Sequence, residues 1–232
     1  AGLNAADLGF AALSLQVLGQ SYGLFTGAVN AAALPILSRM AESGTHRELL
    51  YASLMVRLGL LIVAPAIILA DSIGPRLIQT IFGVEFGPVA QGLEWAVAPI
   101  GPIVAASAVN HVLLAQGRYT RAGLCATVGA GCLTAAIYTA EPGLLPTMKG
   151  TTAGIVTWLI ALLFALRLDT QTYWRLIRLS GVGGASIGVY FLLPIDDVTH
   201  RVVIAAGFWL VGTGAAQVLM KQEWEALRNL WH

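Results

Sequence analysis

Charge is what this chain has least of: 11% of its 232 residues are Asp, Glu, Lys or Arg, against 57% hydrophobic. A soluble domain carries roughly 25% charged residues, so with a mean hydropathy of +0.76 an ordinary soluble fold is excluded. The composition is that of an all-α integral membrane protein, a polytopic helical bundle. Cysteine is also scarce. Cys125 and Cys132 are seven apart on one predicted helix, ~10 Å along its axis, too far to bridge and silent on redox compartment. There is no G-x-S-x-G, no H-E-x-x-H and no His or carboxylate cluster at metal-ligand spacing, so no enzyme, metal or cofactor is expected. The net charge is +1 and the basic residues are scattered between spans, which argues against a nucleic-acid partner. No lysine lies in residues 202–220, where a retinal-binding seven-helix protein would need one. The chain opens Ala1-Gly2-Leu3-Asn4 without an initiator Met, basic n-region or cleavage site, and is expected to be part of a longer chain rather than to carry a signal peptide.

What is present begins with Leu8 to Ser38, thirty-one residues without a formal charge. A helix needs ~20 apolar residues to cross a bilayer core, so this segment is expected to span. At about 100° per residue, Gln16, Gln20, Gly23, Gly27 and Asn30 share a narrow arc with Gly19 beside them. Two readings fit that stripe. The glycines at 19, 23 and 27 admit close approach of another helix, or the amides line a wet cavity because lipid would leave them without hydrogen bonds.

Charge punctuates the rest into about seven spans, near 8–37, 49–70, 90–117, 122–140, 150–166, 179–195 and 202–220. These form one transmembrane lobe over 1–220, followed by a cytoplasmic amphipathic tail at 221–232 with Trp224, Leu227 and Trp231 on one stripe. Asp71 to Pro88 reads as a connection whose apolar piece, Leu77 to Val84, is too short to cross and lies at the interface or re-enters. Pro99 and Pro102 are expected to kink the third span. Arg167 to Arg178 reads as a basic, aromatic linker. Alternate loops share a side. One side with the tail holds Arg39, Arg47, Arg118, Arg121, Arg167, Arg175, Arg178, Lys221 and Arg228, while the other holds Arg76, Lys149 and Arg201. The positive-inside bias therefore puts the N-terminus outside and the C-terminus in the cytoplasm.

Polar groups inside the spans are few. Arg57 either snorkels to the cytoplasmic interface or offers a cavity guanidinium to a diphosphate. Asn110 and His111, late in the third span, read as a hydrogen-bonded structural pair or as a protonatable gate. Glu94 beside Trp95 reads as interfacial. Arg39, Arg118 and Arg121 read as topology determinants able to gather anionic headgroups. Every acid falls in a loop or at a span end.

Four segments together carry a likeness: Leu34-Pro35-Ile36-Leu37-Ser38-Arg39, Ile81-Phe82-Gly83-Val84-Glu85-Phe86, Leu113-Leu114-Ala115-Gln116-Gly117-Arg118 and Gly150-Thr151-Thr152-Ala153-Gly154. Over roughly residues 1–168 the chain resembles oligosaccharide flippases of the multidrug/oligosaccharidyl-lipid/polysaccharide exporter superfamily. The resemblance implies one lobe, C-terminal in such a protein and lacking its first helix, of a two-lobed transporter of the bacterial inner membrane. Such a protein moves a polyprenyl-diphosphate-linked oligosaccharide by alternating access, with membrane lipid and a missing N-terminal lobe as partners. The expected substrate cavity then draws on Gln16, Gln20, Asn30, Arg57, Asn110 and His111. A multidrug cation antiporter of the same superfamily is expected to hold a carboxylate inside a span, and the sequence offers none. A non-transporting membrane scaffold would have no wet cavity.

Overall fold

The computed structural model describes residues 9, 16, 19, 20, 23 and 37 singly, and 47–87, 93–139, 144–167, 170–193 and 197–215. The described residues hold seven α-helices and no strand: α1 (Arg47–Phe82), α2 (Leu93–Val97), α3 (Ile100–Ala115), α4 (Tyr119–Thr139), α5 (Leu144–Leu166), α6 (Thr170–Leu192) and α7 (Val198–Ala215). A single 3-10 turn, Val84–Phe86, follows α1. Residues 9, 16, 19, 20, 23 and 37 are also helical. Among the described residues, three segments are long and apolar enough to cross a membrane: Glu48–Phe82, Trp95–Ala115 and Leu145–Leu166. Val198–Thr213 is a shorter apolar helix. Helices α4 and α6 are long enough, at 21 and 23 residues, but their arginines, threonines and glycines dilute their hydropathy.

Three expected boundaries are corrected. The second span does not stop at Ala70: α1 continues through Asp71-Ser72-Ile73-Gly74-Pro75 to Phe82, 36 residues in all, ~54 Å at 1.5 Å per residue. The Gly-Pro pair that reads as a loop is absorbed because an apolar helix held by neighbours tolerates proline. The Ser72 hydroxyl donates to the Ile68 carbonyl at 2.7 Å, and Gly74 lies directly against Leu93. Asp71 is thus inside a helix, not in a loop. The expected linker at 167–178 is likewise mostly helix, α6 starting at Thr170. Arg167, with φ 55°, is the left-handed residue that ends α5. Pro146, expected in a connection, is the third residue of α5, where a missing N–H costs nothing because the first turn leaves its donors unpaired.

The third span breaks as expected, with α2 and α3 separated by a turn at Ala98–Pro99. Helices α1 and α3 then pack antiparallel. A Cβ on Gly59 would sit 2.6 Å from the Gly101 carbonyl oxygen, and one on Gly101 would meet the Gly59 carbonyl, so the two backbones touch where no side chain intervenes. In the first turn of α1, Glu48 Oε1 accepts a hydrogen bond from Gln116 Nε2 at 3.3 Å. Helix α4 packs on α5 through Gly129 against Trp158 and Gly154 against Leu133. The larger core gathers Val56, Val109, Val112, Leu162 and Leu176 from α1, α3, α5 and α6, with Leu37 among them. A smaller cluster of Ile68, Tyr190 and Ala205 ties α1, α6 and α7 together.

Candidate functional site

Besides Glu48, buried near its start, helix α1 carries two charged groups on one inward stripe, the buried Arg57 and the partly buried Asp71. Arg57, Ala64 and Asp71 are spaced by sevens, close to two turns. Residues that far apart face the same way, and Arg57, two places from Gly59, faces away from α3. The partner stripe is on α6. A Cβ on Gly183 would lie 3.9 Å from the Ala64 Cβ and Asp71 meets Tyr190, both pairs 119 apart in number, which makes α1 and α6 parallel neighbours in fixed register. Carried one heptad further, that register sets Arg57 level with Leu176, itself 4% exposed.

Arg57 is 1% exposed. Its Nε donates to the Ser53 carbonyl at 3.2 Å and its Nη2 to the Ser53 hydroxyl at 3.2 Å. The side chain bends one turn back along its own helix yet stays enclosed, so it does not snorkel to a surface. A buried guanidinium requires its donors to be bonded, and Ser53, 6% exposed, supplies two of those bonds.

Fourteen residues along, Asp71 Oδ2 accepts the Tyr190 hydroxyl at 2.7 Å. Tyr190 is fully buried, and the Arg201 guanidinium of α7 stands 5.6 Å from its ring centroid. A phenol, a carboxylate and a guanidinium from three helices therefore meet at one point, an arrangement of opposite charges bridged by a neutral donor.

The remaining expected cavity residues do not converge there. Gln16 and Gln20 are exposed on their helix, as are Gly19 and Gly23, and a Cβ on either glycine meets nothing within 4 Å. Among the described residues this stripe is not a packing face, and it is separate from the enclosed Arg57. Asn110 and His111 are partly buried. Asn110, nine residues from Gly101, is turned about 180° from the α1 contact and so cannot share a pocket with Arg57 across that interface. Asn30, Arg39, the Glu94 side chain and the 221–232 tail lie outside the described residues.

Sequence reasoning missed Asp71, Tyr190 and Arg201 because it placed Asp71 and Arg201 in loops. The available signal was the seven-residue spacing from Arg57 through Ala64 to Asp71. Among the described residues no group of three or more His, Cys, Asp or Glu could hold a metal ion. No family model, curated protein or solved structure matches the chain.

Proposed function

We propose that this chain forms a seven-span lobe of a membrane transporter that moves a polyprenyl-diphosphate-linked oligosaccharide across the bacterial inner membrane by alternating access. In this reading the C-terminus is cytoplasmic and the opposing lobe lies against the N-terminal helix. One observation carries the reading: Gln16, Gly19, Gln20 and Gly23 form an exposed stripe of amides and glycines on an otherwise apolar helix. Amides facing hydrocarbon would forfeit hydrogen bonds at several kcal/mol each, so the stripe suits a wet cleft shared with a second lobe. The resemblance to oligosaccharide flippases gives that cleft its cargo. Arg57, enclosed in this conformation, would meet a diphosphate only after α1 and α6 part.

The test is glycan export in cells carrying the chain in its native context. Gln16→Leu with Gln20→Leu should lower export about tenfold while membrane abundance stays constant. Arg57→Lys should fall between wild type and Arg57→Ala, because an ammonium keeps the charge but not the planar fork. Undiminished export by a well-expressed double variant would defeat the cleft assignment.

A second reading, a cation-coupled drug antiporter, gains from Asp71, a carboxylate inside a helix and bonded to a buried phenol. Intramembrane acids are the usual carriers of proton or sodium coupling. It predicts that Asp71→Asn abolishes ion-gradient-driven drug efflux and leaves glycan export intact.

A further inference from the structure

Helix α7 leaves much of its apolar surface open, with Val203, Ile204, Phe208, Leu210 and Val211 exposed. It runs antiparallel to α6, since Gly212 lies against Val182 and Arg201 against Tyr190, and therefore antiparallel to α1 as well. A groove of about 250 Å³, with Pro65 and Leu69 on one wall and Ala206 and Trp209 on the other, keeps α1 and α7 apart along part of their length. They come together at one end, where Ile68, Tyr190 and Ala205 form a buried cluster. The step from Ile68 on to Asp71 and the step from Ala205 back to Arg201 lead the same way, each about one turn. Asp71 and Arg201 are thus level with each other beside Tyr190.

At that level the partners are unevenly shared. Asp71 Oδ2 accepts the Tyr190 hydroxyl at 2.7 Å, while the Arg201 guanidinium rests 5.6 Å from the Tyr190 ring centroid with its Nε buried and unbonded. A guanidinium can meet both oxygens of a carboxylate with two parallel N–H donors, and a buried donor left unbonded is costly. Two arrangements therefore compete for one carboxylate: the phenol with the cation over its ring, or the cation itself. We propose that Asp71 is a partner-exchange switch, its carboxylate passing from the Tyr190 hydroxyl to the Arg201 guanidinium when α1 and α6 part. Helix α7 is then drawn against α1, the groove between Leu69 and Ala206 narrows, and the released phenol faces the opened seam, where water can bond it. The exchange moves a buried acid between neighbours without leaving it bare in an apolar interior, and packed helices favour such discrete arrangements over continuous deformation. The switch rests on the reading that the α1–α6 seam opens, but its test needs no cargo.

Two cysteine pairs report the two arrangements, each in a Cys125→Ala, Cys132→Ala background. Ala64→Cys with Gly183→Cys reports the closed seam, because a Cβ on Gly183 would lie 3.9 Å from that of Ala64, the spacing of a disulfide. Leu69→Cys with Ala206→Cys reports the narrowed groove. Disulfide formation is timed for the full chain in membranes with a lipid-permeant oxidant. Tyr190→Phe keeps the ring and removes the competing hydroxyl, so the groove disulfide should form about tenfold faster, the factor for one hydrogen bond to a charged group, and the seam disulfide no faster. Arg201→Gln should slow the groove disulfide severalfold and cancel the acceleration by Tyr190→Phe. An unchanged groove rate in Tyr190→Phe would overturn the switch. The same acceleration with Arg201→Gln present would also overturn it, because the helices would merely have loosened. Should Tyr190→Phe fail to assemble, Arg201→Gln alone decides, and an unchanged groove rate there removes the proposal. Exchange without glycan export would count against the transporter reading alone, and export without exchange against the switch alone.

Discussion

Pro99 removes the N–H that would have bonded the Trp95 carbonyl, and the Thr152 hydroxyl of α5 takes its place at 3.3 Å while also reaching its own Met148 carbonyl at 3.0 Å. The Lys149 ammonium lies 5.2 Å from the Trp95 ring centroid, so two side chains one turn apart on α5 hold the same residue of α2. A buried carbonyl left bare in an apolar setting is costly, which makes Thr152 the repair for the break in the third span. Thr152→Val keeps the shape and loses the donor. It should lower thermal stability in detergent by the equivalent of about 1 kcal/mol, and Thr152→Ser should recover most of it. No difference between Val and Ser would mean that the bond is dispensable. Tyr190→Phe makes the parallel case at the three-helix node. It strips Asp71 of its 2.7 Å donor while leaving a ring for Arg201, and should cost about 1–3 kcal/mol. Asp71→Asn in the same background should cost less than it does alone, because the two changes remove one interaction.

At the scale of the helix, the sequence told where most helices are but not which glycines matter. The G-x-x-x-G stripe at 19, 23 and 27 has the spacing of a packing motif, yet among the described residues a Cβ on Gly19 or Gly23 would meet nothing within 4 Å, and Gly27 lies outside them. The backbone contact occurs at Gly59 and Gly101, one glycine on each of two helices. No motif within a single helix can announce such a pair, because it exists only once α1 and α3 are docked. Gly59→Leu should therefore lower detergent stability sharply, and Gly23→Leu far less. The reverse order in matched thermal scans would restore the first helix as the packing face. The boundaries of α1 were missed for a related reason. Gly74-Pro75 is a strong local turn signal, overridden by the contact of Gly74 with Leu93 and by the Asp71–Tyr190 bond, both made by residues distant in sequence. The N-terminus of α7, at Val198 instead of the expected 202, gives a pH test. Asp197 Oδ1 accepts the Thr199 backbone N–H at 2.8 Å and Oδ2 contacts His200 Nδ1 at 2.7 Å. The backbone N–H foremost, then His200, hold the Asp197 carboxyl below its ordinary value of 3.8. A depressed carboxylate stabilises the folded helix end above that ordinary value and loses the effect as pH falls through the lower folded one. Amide exchange at Thr199 should be faster in Asp197→Ala than in wild type near neutral pH, and the two should converge once the pH is well below 3.8. A gap that persists in acid would assign the protection to something other than the carboxylate.

The whole molecule has two ends, and its contacts sort the basic residues between them. Glu48 at the start of α1 bonds Gln116 beyond the end of α3, so the turn at 116–118 and the start of α1 share one end. The α3–α4 turn closes there through Gly117 at φ 70° with Arg118 beside it, and antiparallel α5 brings Arg167 to the same level. At the opposite end, Trp95 meets Lys149 and Tyr190 meets both Asp71 and Arg201. For Arg118, Arg121 and Arg167 at one end and Lys149 and Arg201 at the other, the loop partition drawn from charge alone agrees with the ends of the described helices, although Asp71, Lys149 and Arg201, read as loop residues, are helical; Arg39, Lys221 and Arg228 lie outside the described residues. Lys and Arg gather on the cytoplasmic side, so the end bearing Arg118, Arg121 and Arg167 is expected to face the cytoplasm. Glu85 and Tyr119 are exposed at opposite ends and make the comparison direct. In a background with Cys125→Ala and Cys132→Ala, an impermeant maleimide added to intact cells should label Glu85→Cys and spare Tyr119→Cys until the membrane is opened. Labelling of Tyr119→Cys alone would invert the molecule. Labelling of both in sealed cells would show that these two ends are not divided by a membrane, because no helix packing in this bundle can bring residue 119 to the end that carries residue 85.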